Sequence, residues 1–322
     1  MIPRTKVNYR LLDLVAAIFI RERGYELRKH LVSRLSELFS TPHILLTASG
    51  RSALYVVLSC LPQQKLLIPA YTCKAVVEAA QLAGKELVFG ETENDGFNMS
   101  HKAIKGKLDD NTILLATHQF GIPCEIREMV MMARKAGAFV IEDVAAALGG
   151  TSEGQLMGTF GDAAFFSFDS TKLVNAPLKA GFLVVRDAEL YARCKSFMAK
   201  YTSPMPAPRK FRYLLLGATL VTLEQPTLYR LFHNLKFHWR GRFTDDSDEF
   251  SPHLGPFYFD RLAEWQAGLL LPQIKRLDVL VATRRRLYSR YLEHLSSAVS
   301  FALPPADTHG EWSPIRFPIR IY

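Results

Sequence analysis

The stretch Ala163-Ala-Phe-Phe-Ser-Phe-Asp-Ser-Thr-Lys172 joins an apolar run to a cluster of groups able to do chemistry. Ala163–Phe166 reads as a strand buried on both faces. Lys172 then sits just beyond a strand end, beside two hydroxyls and a carboxylate. A lysine partly desolvated in such a place favours the neutral amine, which attacks a carbonyl to form a Schiff base. Spacing alone fits a surface lysine in a loop equally well. What separates the two readings is the chain upstream.

Working outward, short apolar runs recur between helical patterns. Ile44–Thr47, Lys65–Pro69, Glu86–Phe89, Thr112–Ala116, Ala138–Ile141 and Gly181–Val185 read as strands. Residues 1–40 read as helical, with Leu27, Leu31, Leu35 and Leu38 at helical spacing. Ile126–Ala136 is amphipathic and closes at Gly137, and Asn94-Asp95-Gly96 is a turn. Alternating strands and helices imply an α/β fold with a mostly parallel central sheet flanked by helices. Ligands collect at the carboxyl ends of such strands.

Several chemical groups fall at those ends. Ser49-Gly50-Arg51-Ser52 follows the first strand and opens a helix, which is an anion site: free amides, helix dipole, a cation and two hydroxyls. A capped helix with a turn-relieving glycine is the plainer alternative. Tyr71-Thr72-Cys73 follows the second strand, and His118 the fourth. His118 faces a ligand or is a loop residue satisfied by the protein. Glu142-Asp143 places two adjacent carboxylates after a buried strand, which is costly unless each has a partner. Asp143 therefore has a structural partner or a cationic ligand. Phosphate cradle, ring neighbour, carboxylate and amine together meet the needs of pyridoxal phosphate.

With these motifs in order, the sequence resembles the DegT/DnrJ/EryC1/StrS sugar aminotransferase family. The resemblance runs from about residue 30 to 190 and resumes over Arg261-Leu-Ala-Glu-Trp-Gln-Ala-Gly-Leu to about Tyr291. Its carriers are Ser49–Leu54, Ile68–Thr72, Asp95–Asn98, His118–Pro123, Ile141–Asp143 with Ala147–Gly149, and Gly158–Asp162 through Thr171-Lys172. The resemblance implies the aspartate-aminotransferase (type I) fold, a homodimer with active sites at the subunit interface, and bound pyridoxal phosphate. It implies Lys172 as the Schiff-base lysine and Asp143 as partner of the ring nitrogen. Gly50, Arg51, Ser52, Cys73, His118 and Ser167 are then cofactor contacts, with Arg51 and Ser52 at the phosphate. The activity implied is amino transfer, commonly from glutamate, to a keto-sugar nucleotide in amino-sugar and surface-polysaccharide biosynthesis. A related pyridoxal-phosphate lyase or dehydratase is one alternative, and a non-catalytic subunit another. Retention of Lys172 weighs against the family's dehydratases, which carry histidine there. Departures from the family are Cys73 for an aromatic ring, Ala146 for a glutamine, Lys179-Ala-Gly-Phe182 for Gly-Glu-Gly-Gly, and Phe259 for an asparagine.

The composition narrows the classes. The chain has 322 residues, 48% hydrophobic and 22% charged, ordinary for a globular protein. Cys60, Cys73, Cys124 and Cys194 form no CxxC pair, so neither a metal site nor a disulfide scaffold is expected, and a reducing cytoplasm fits. No export signal is visible; Leu11–Ile20 is apolar but short and carries Asp13, so it reads as a helix. Net charge is +9, but Lys195–Arg242 alone holds nine Lys/Arg against Glu224, leaving +1 elsewhere. No nucleic-acid-binding motif lies in that segment. Tyr213–Leu223 is too short to span a bilayer. Leu228, Leu231, Phe232, Leu235 and Trp239 follow helical spacing, interleaved with basic residues. Such a helix suits peripheral membrane contact through 210–242, at the inner membrane face. Packing on the core or a partner subunit, or a lid gripping a diphosphate, are the other readings. The expected organisation is an N-terminal helical arm (1–40), a large cofactor-binding domain (41–190), a basic insertion (191–255) and the start of a small C-terminal domain (256–322). Pro314–Tyr322 is expected as that last domain's first strand, with the domain incomplete.

Overall fold

The computed structural model describes residues 6–20, 26–93, 96–238, 254–296, 301–307 and 311–321. Seven strands form one sheet: β1 (Ile44–Thr47), β2 (Lys65–Pro69), β3 (Glu86–Gly90), β4 (Thr112–Thr117), β5 (Phe139–Asp143), β6 (Ala163–Ser167) and β7 (Gly181–Val185). Their order is β1-β7-β6-β5-β4-β2-β3. Only β7 runs antiparallel, against both β1 and β6. Each strand expected from the sequence is present, so the mostly parallel α/β sheet stands as read.

The strands are continuous apolar runs because helices cover both faces. In β6 the side chains alternate between two cores. Ala164 and Phe166 join Leu35, Phe39 and Phe182 on one face, while Ala163 and Phe165 join Leu54 and Leu183 on the other. Phe166 and Phe182 stack with centroids 4.2 Å apart, and Phe39 lies 4.8 Å from Phe166. The first core is closed by α2 (Glu26–Phe39) and the C-terminal helices, the second by α3 (Gly50–Cys60), α4 (Lys74–Leu82) and a later helix, Ala188–Tyr201.

Some boundaries move. Residues 1–40 are not one helix: α1 (Leu11–Phe19) precedes α2, and 21–25 lie outside the described residues. β5 continues through Glu142-Asp143, which pair with Ala116 and Thr117 of β4. The terminal strand shrinks to Arg320–Ile321, antiparallel to Phe301–Ala302. Pro314 and Pro318 lack the N–H a longer ladder needs. With α5 as Ile126–Lys135 and α6 as Ala188–Tyr201, the basic segment holds α7 (Ala207–Thr222) and α8 (Pro226–His238). Its Leu228, Leu231 and Phe232 are exposed rather than packed on the core. Trp239, Arg240 and Arg242, the side chain of Leu235, and the Asn94-Asp95 of the expected turn lie outside the described residues. After a single turn of helix at Pro256–Phe259 come α9 (Glu264–Lys275) and α10 (Leu277–Leu295), and α2 packs along α9.

Candidate active site

The carboxyl ends of β2, β4, β5 and β6 open on one cavity of about 330 Å³, into which α3 also points its N-terminus. Gly50, Arg51, Cys73, His118, Asp143, Ser167 and Lys172 all border it; Ser52 does not. Seven of the eight residues expected at the site are thus brought together from stretches up to 122 positions apart in sequence.

The adjacent carboxylates at the end of β5 are divided by strand alternation. Glu142 is fully buried and points away from the cavity's centre. Its Oε1 accepts the N–H groups of Phe160 and Gly161, both at 2.8 Å, and its Oε2 accepts that of Gly158 at 2.8 Å. His118 Nε2 lies 3.3 Å from the same Oε2, while its Nδ1 accepts the Cys124 N–H at 3.2 Å. His118 therefore walls the cavity while spending both ring nitrogens on the protein. Asp143 is the carboxylate left to the cavity. Its Oδ1 accepts the Ala145 N–H at 3.0 Å. Burial raises its pKa above the ordinary carboxylate range, and the Ala145 N–H and the Lys172 cation oppose that rise. A buried carboxylate facing a hollow calls for a cationic partner there.

The anion end is built by α3. Ser49 caps it, its Oγ accepting the Ser52 N–H at 3.0 Å. A Cβ on Gly50 would lie 2.9 Å from Ser167 Cβ and 3.2 Å from the Phe166 carbonyl, so only glycine lets the helix start this close to β6. Two phosphate contacts expected from the sequence are corrected. Ser52 donates its hydroxyl to the Tyr258 carbonyl at 2.9 Å and turns from the cavity. Arg51 borders it but holds Glu78, Nη1 to Oε2 at 2.6 Å. Lys179 adds a cation whose pKa is lowered by burial and then by neighbouring Arg51. With Arg51 paired to Glu78, Lys172, Lys179 and Arg316 face Asp143 and Asp169, a surplus of one positive charge. Among the described residues, the buried Arg51 Nε and the Thr72 and Thr117 hydroxyls have no hydrogen-bond partner, and all three residues line the cavity. Charge surplus, orphaned donors and the facing carboxylate fit pyridoxal phosphate. Where the family's ring-stacking aromatic is expected, Cys73 presents an exposed thiol, and Tyr71 faces away with its ring near Phe120.

Lys172 stands on the loop joining β6 to β7, and that loop is clamped from outside. Gln273 of α9 accepts the Asn175 N–H at 3.0 Å and donates to the Asn175 carbonyl at 2.8 Å. Asn175 in turn donates to the Lys172 carbonyl at 2.9 Å and accepts the Asn8 N–H at 3.1 Å. Gln266 holds the Lys179 carbonyl at 2.9 Å. The glutamines of α9 thus fix the loop that carries both amines.

Sequence reasoning missed these positioning residues, and it missed Arg316. That arginine arrives because the C-terminal segment straps the turn after β4: Ser313 N–H donates to the Gly121 carbonyl at 3.2 Å and Ile315 N–H to Phe120 at 3.0 Å. Gly121 has φ +90°, and a Cβ there would collide with the Ser313 carbonyl. The sequence cue was the glycine after His118-Gln-Phe, which marks a close backbone approach without saying by what.

Known proteins carry the same arrangement. The chain is 32% identical over 154 residues to GDP-perosamine synthase of Escherichia coli O157:H7, covering 47% of this chain and 42% of that one. It thus spans about two fifths of that relative's length. The structure of aminotransferase TlmJ from Streptoalloteichus hindustanus superposes with TM-score 0.75 at 20% identity, over 100% of this chain and 79% of that one. A GDP-4-keto-6-deoxymannose-3-dehydratase superposes with TM-score 0.74 at 18% identity, over 100% and 80% of the two chains. The shared fold is that of pyridoxal-phosphate sugar enzymes. Residues 19–322 match the DegT/DnrJ/EryC1/StrS aminotransferase family, and the chain belongs to it.

Proposed function

We propose that this protein is a pyridoxal-phosphate aminotransferase moving an amino group from an amino-acid donor, glutamate by family habit, to a keto-sugar nucleotide. The observation that carries the reading is one cavity holding Lys172, Asp143 and the N-terminus of α3. Bound there, pyridoxal phosphate supplies an aldehyde for an amine and a ring that accepts electrons. Asp143 would hold the proton on the ring nitrogen. Lys172 Nζ, once released, would take the proton from the donor's alpha carbon. Gly50 and Arg51 amides, with Lys179, would hold the phosphate. Thr72 and Thr117 offer hydroxyls to the remaining polar edge. The similarity to GDP-perosamine synthase supports a nucleotide sugar as acceptor.

The same reading makes the working unit a homodimer, with the second copy completing the open side of the cavity, and places the reaction in the reducing cytoplasm, which the four free cysteines support. The test is a visible spectrum of protein purified with added cofactor, then borohydride reduction and peptide mapping. A band in the visible and a reduced adduct on Lys172 are expected. Bleaching of that band by glutamate, and its return with a keto-sugar nucleotide, separates amino transfer from a scaffold role. No adduct on Lys172 would end the proposal. An adduct whose band glutamate leaves unchanged would favour the lyase or non-catalytic alternatives.

A further inference from the structure

Helix α1 reads Leu-Leu-Asp-Leu-Val-Ala-Ala-Ile-Phe, apolar on nearly every side. A surface helix ordinarily turns polar residues to water. Here only Leu14 and Ala17 are buried, against a cluster that includes Tyr213 and Trp265. The outward face shows Leu12 at 77% and Phe19 at 78% exposure, with Leu11, Val15 and Ile18 beside them. Neighbouring α7 adds Phe211 at 69% and Leu215. Between the two helices runs an apolar groove of about 460 Å³. Exposed Leu228, Leu231 and Phe232 continue the character into α8. So much apolar surface on described residues marks an interaction face.

Its charge selects the partner. Segments 6–20 and 207–238 hold seven Lys/Arg against two acids, Asp13 and Glu224. Both acids are tied to backbone: Asp13 accepts the Arg10 N–H at 2.7 Å and Glu224 the Val7 N–H at 2.6 Å. Arg209 is committed to Asp260, while Lys6, Arg10, Arg212 and Arg230 are exposed. A second copy docking by two-fold symmetry would set this basic frame against itself, a like-charge juxtaposition that disfavours the pair. A nucleic acid would match the charge and leave the leucines and phenylalanines in water. An anionic bilayer satisfies both. Among the described residues no helix is long and apolar enough to cross a membrane, so the helices would lie on it.

We propose that the outward faces of α1 and α7, framed by Lys6, Arg10, Arg212 and Arg230, dock on an anionic lipid surface. The exposed leucines and phenylalanines enter the headgroup boundary, to a depth of roughly 5–10 Å, and the cations meet lipid phosphates. This site moves the contact expected over 210–242 from the α8 stripe to the outward faces of α1 and α7, adding α1, and does not depend on the reaction proposed above.

Co-sedimentation with phosphatidylcholine vesicles, with and without phosphatidylglycerol, tests it. Binding should require phosphatidylglycerol and weaken as salt rises, because screening shortens the range of the cations. Leu12→Ser with Phe19→Ser and Phe211→Ser should lower vesicle affinity by about tenfold per side chain. Arg212→Glu with Arg230→Glu should lower it by at least about fivefold per residue. Met131→Ser, a similarly exposed position on α5, should change nothing. Melting temperature should hold in all variants, since the altered side chains are exposed; if the triple serine variant fails to fold, the charge-reversal pair carries the test. Absence of binding at low salt, or equal binding to neutral vesicles, would overturn the proposal. So would sedimentation velocity in which the wild type is a dimer and the serine variant a monomer, which would assign the face to a second copy.

Discussion

Glu142→Gln should unfold this protein far more readily than Asp143→Asn, although the two residues are adjacent. Glu142 is fully buried and takes three backbone N–H groups at 2.8 Å, with His118 at 3.3 Å. An amide keeps one oxygen. Turned toward Phe160 and Gly161, it presents its NH₂ to the Gly158 N–H, donor against donor. Hydrogen bonds to a charged acceptor contribute about 1.5–3 kcal/mol each, and an orphaned buried donor costs about 1–3. Losing one bond outright and the charge from two others gives about 3–5 kcal/mol. That is a large share of a typical total of about 5–15 kcal/mol. At a slope of about 2 °C per kcal/mol for a chain of this size, melting should fall by roughly 6–10 °C. Differential scanning calorimetry on the apo protein measures it. A change below about 1 kcal/mol would mean that the 158–161 turn does not depend on this carboxylate, and the division of labour between the two acids would be wrong.

Other outcomes follow from the same site. Lys172→Ala should abolish the borohydride-trapped adduct yet shift stability by no more than about 0.5 kcal/mol, since a half-buried chain leaves a hollow; circular-dichroism melts beside mass spectrometry check both. Gln273→Leu should orphan the Asn175 N–H and carbonyl, costing about 1–3 kcal/mol for each group and weakening cofactor titration by loosening the Lys172 loop. Asp143→Asn should stabilise the apo protein at neutral pH. Burial raises the Asp143 pKa, so the cost of ionising it in the fold appears as pH climbs from the unfolded value of about 3.9 through the raised folded one; melts should show the gain at pH 7 and none near about pH 4. In the cofactor-loaded enzyme the same change should cut turnover while the phosphate stays bound.

What the sequence disclosed tracks what is local. The seven strands were legible because continuous apolar runs such as Ala163–Phe166 answer to burial on both faces, and strand ends then locate the ligands. Lys172 and Asp143 could be placed at the cavity because several strand ends carried chemical groups at once. Hydroxyl direction was not legible. Ser52 reads as a phosphate donor until Tyr258, 206 residues on, offers its carbonyl. Arg51 likewise reads as an uncommitted cation until α4 supplies Glu78. Arg316 and Gln273 act through contacts made only once distant segments fold back over the cavity, and no local pattern announces such contacts. The exposed face of α1 was hidden for the opposite reason. An apolar nonamer looks like core from its composition, and only the fold shows that one half of it meets solvent.

The departures from the family share one direction. An aromatic over the cofactor ring would add about 0.5–1.5 kcal/mol beyond its buried area, and Cys73 forgoes that. Ala146, in place of the family's glutamine, would forgo a side-chain hydrogen bond to the ring. Both losses fall on the ring. At the α3 end of the cavity, by contrast, Lys179 brings a cation where the family has glycine, and Ala180 replaces the family's acid. It stands beside Arg51, and burial first, then that neighbouring cation, lowers its pKa. With Arg51 committed to Glu78, a phosphate bound there would meet Lys179, and charge-assisted bonds are about twice as strong as neutral ones. On the proposed reading, the grip on the cofactor would move from ring to phosphate. The two groups on which the proposed transamination would depend, the Lys172 amine and the Asp143 carboxylate, both line the cavity. A carboxylate held buried at a cost in stability, with an amine lining the same hollow, is what the proposed aminotransferase needs and a scaffold does not.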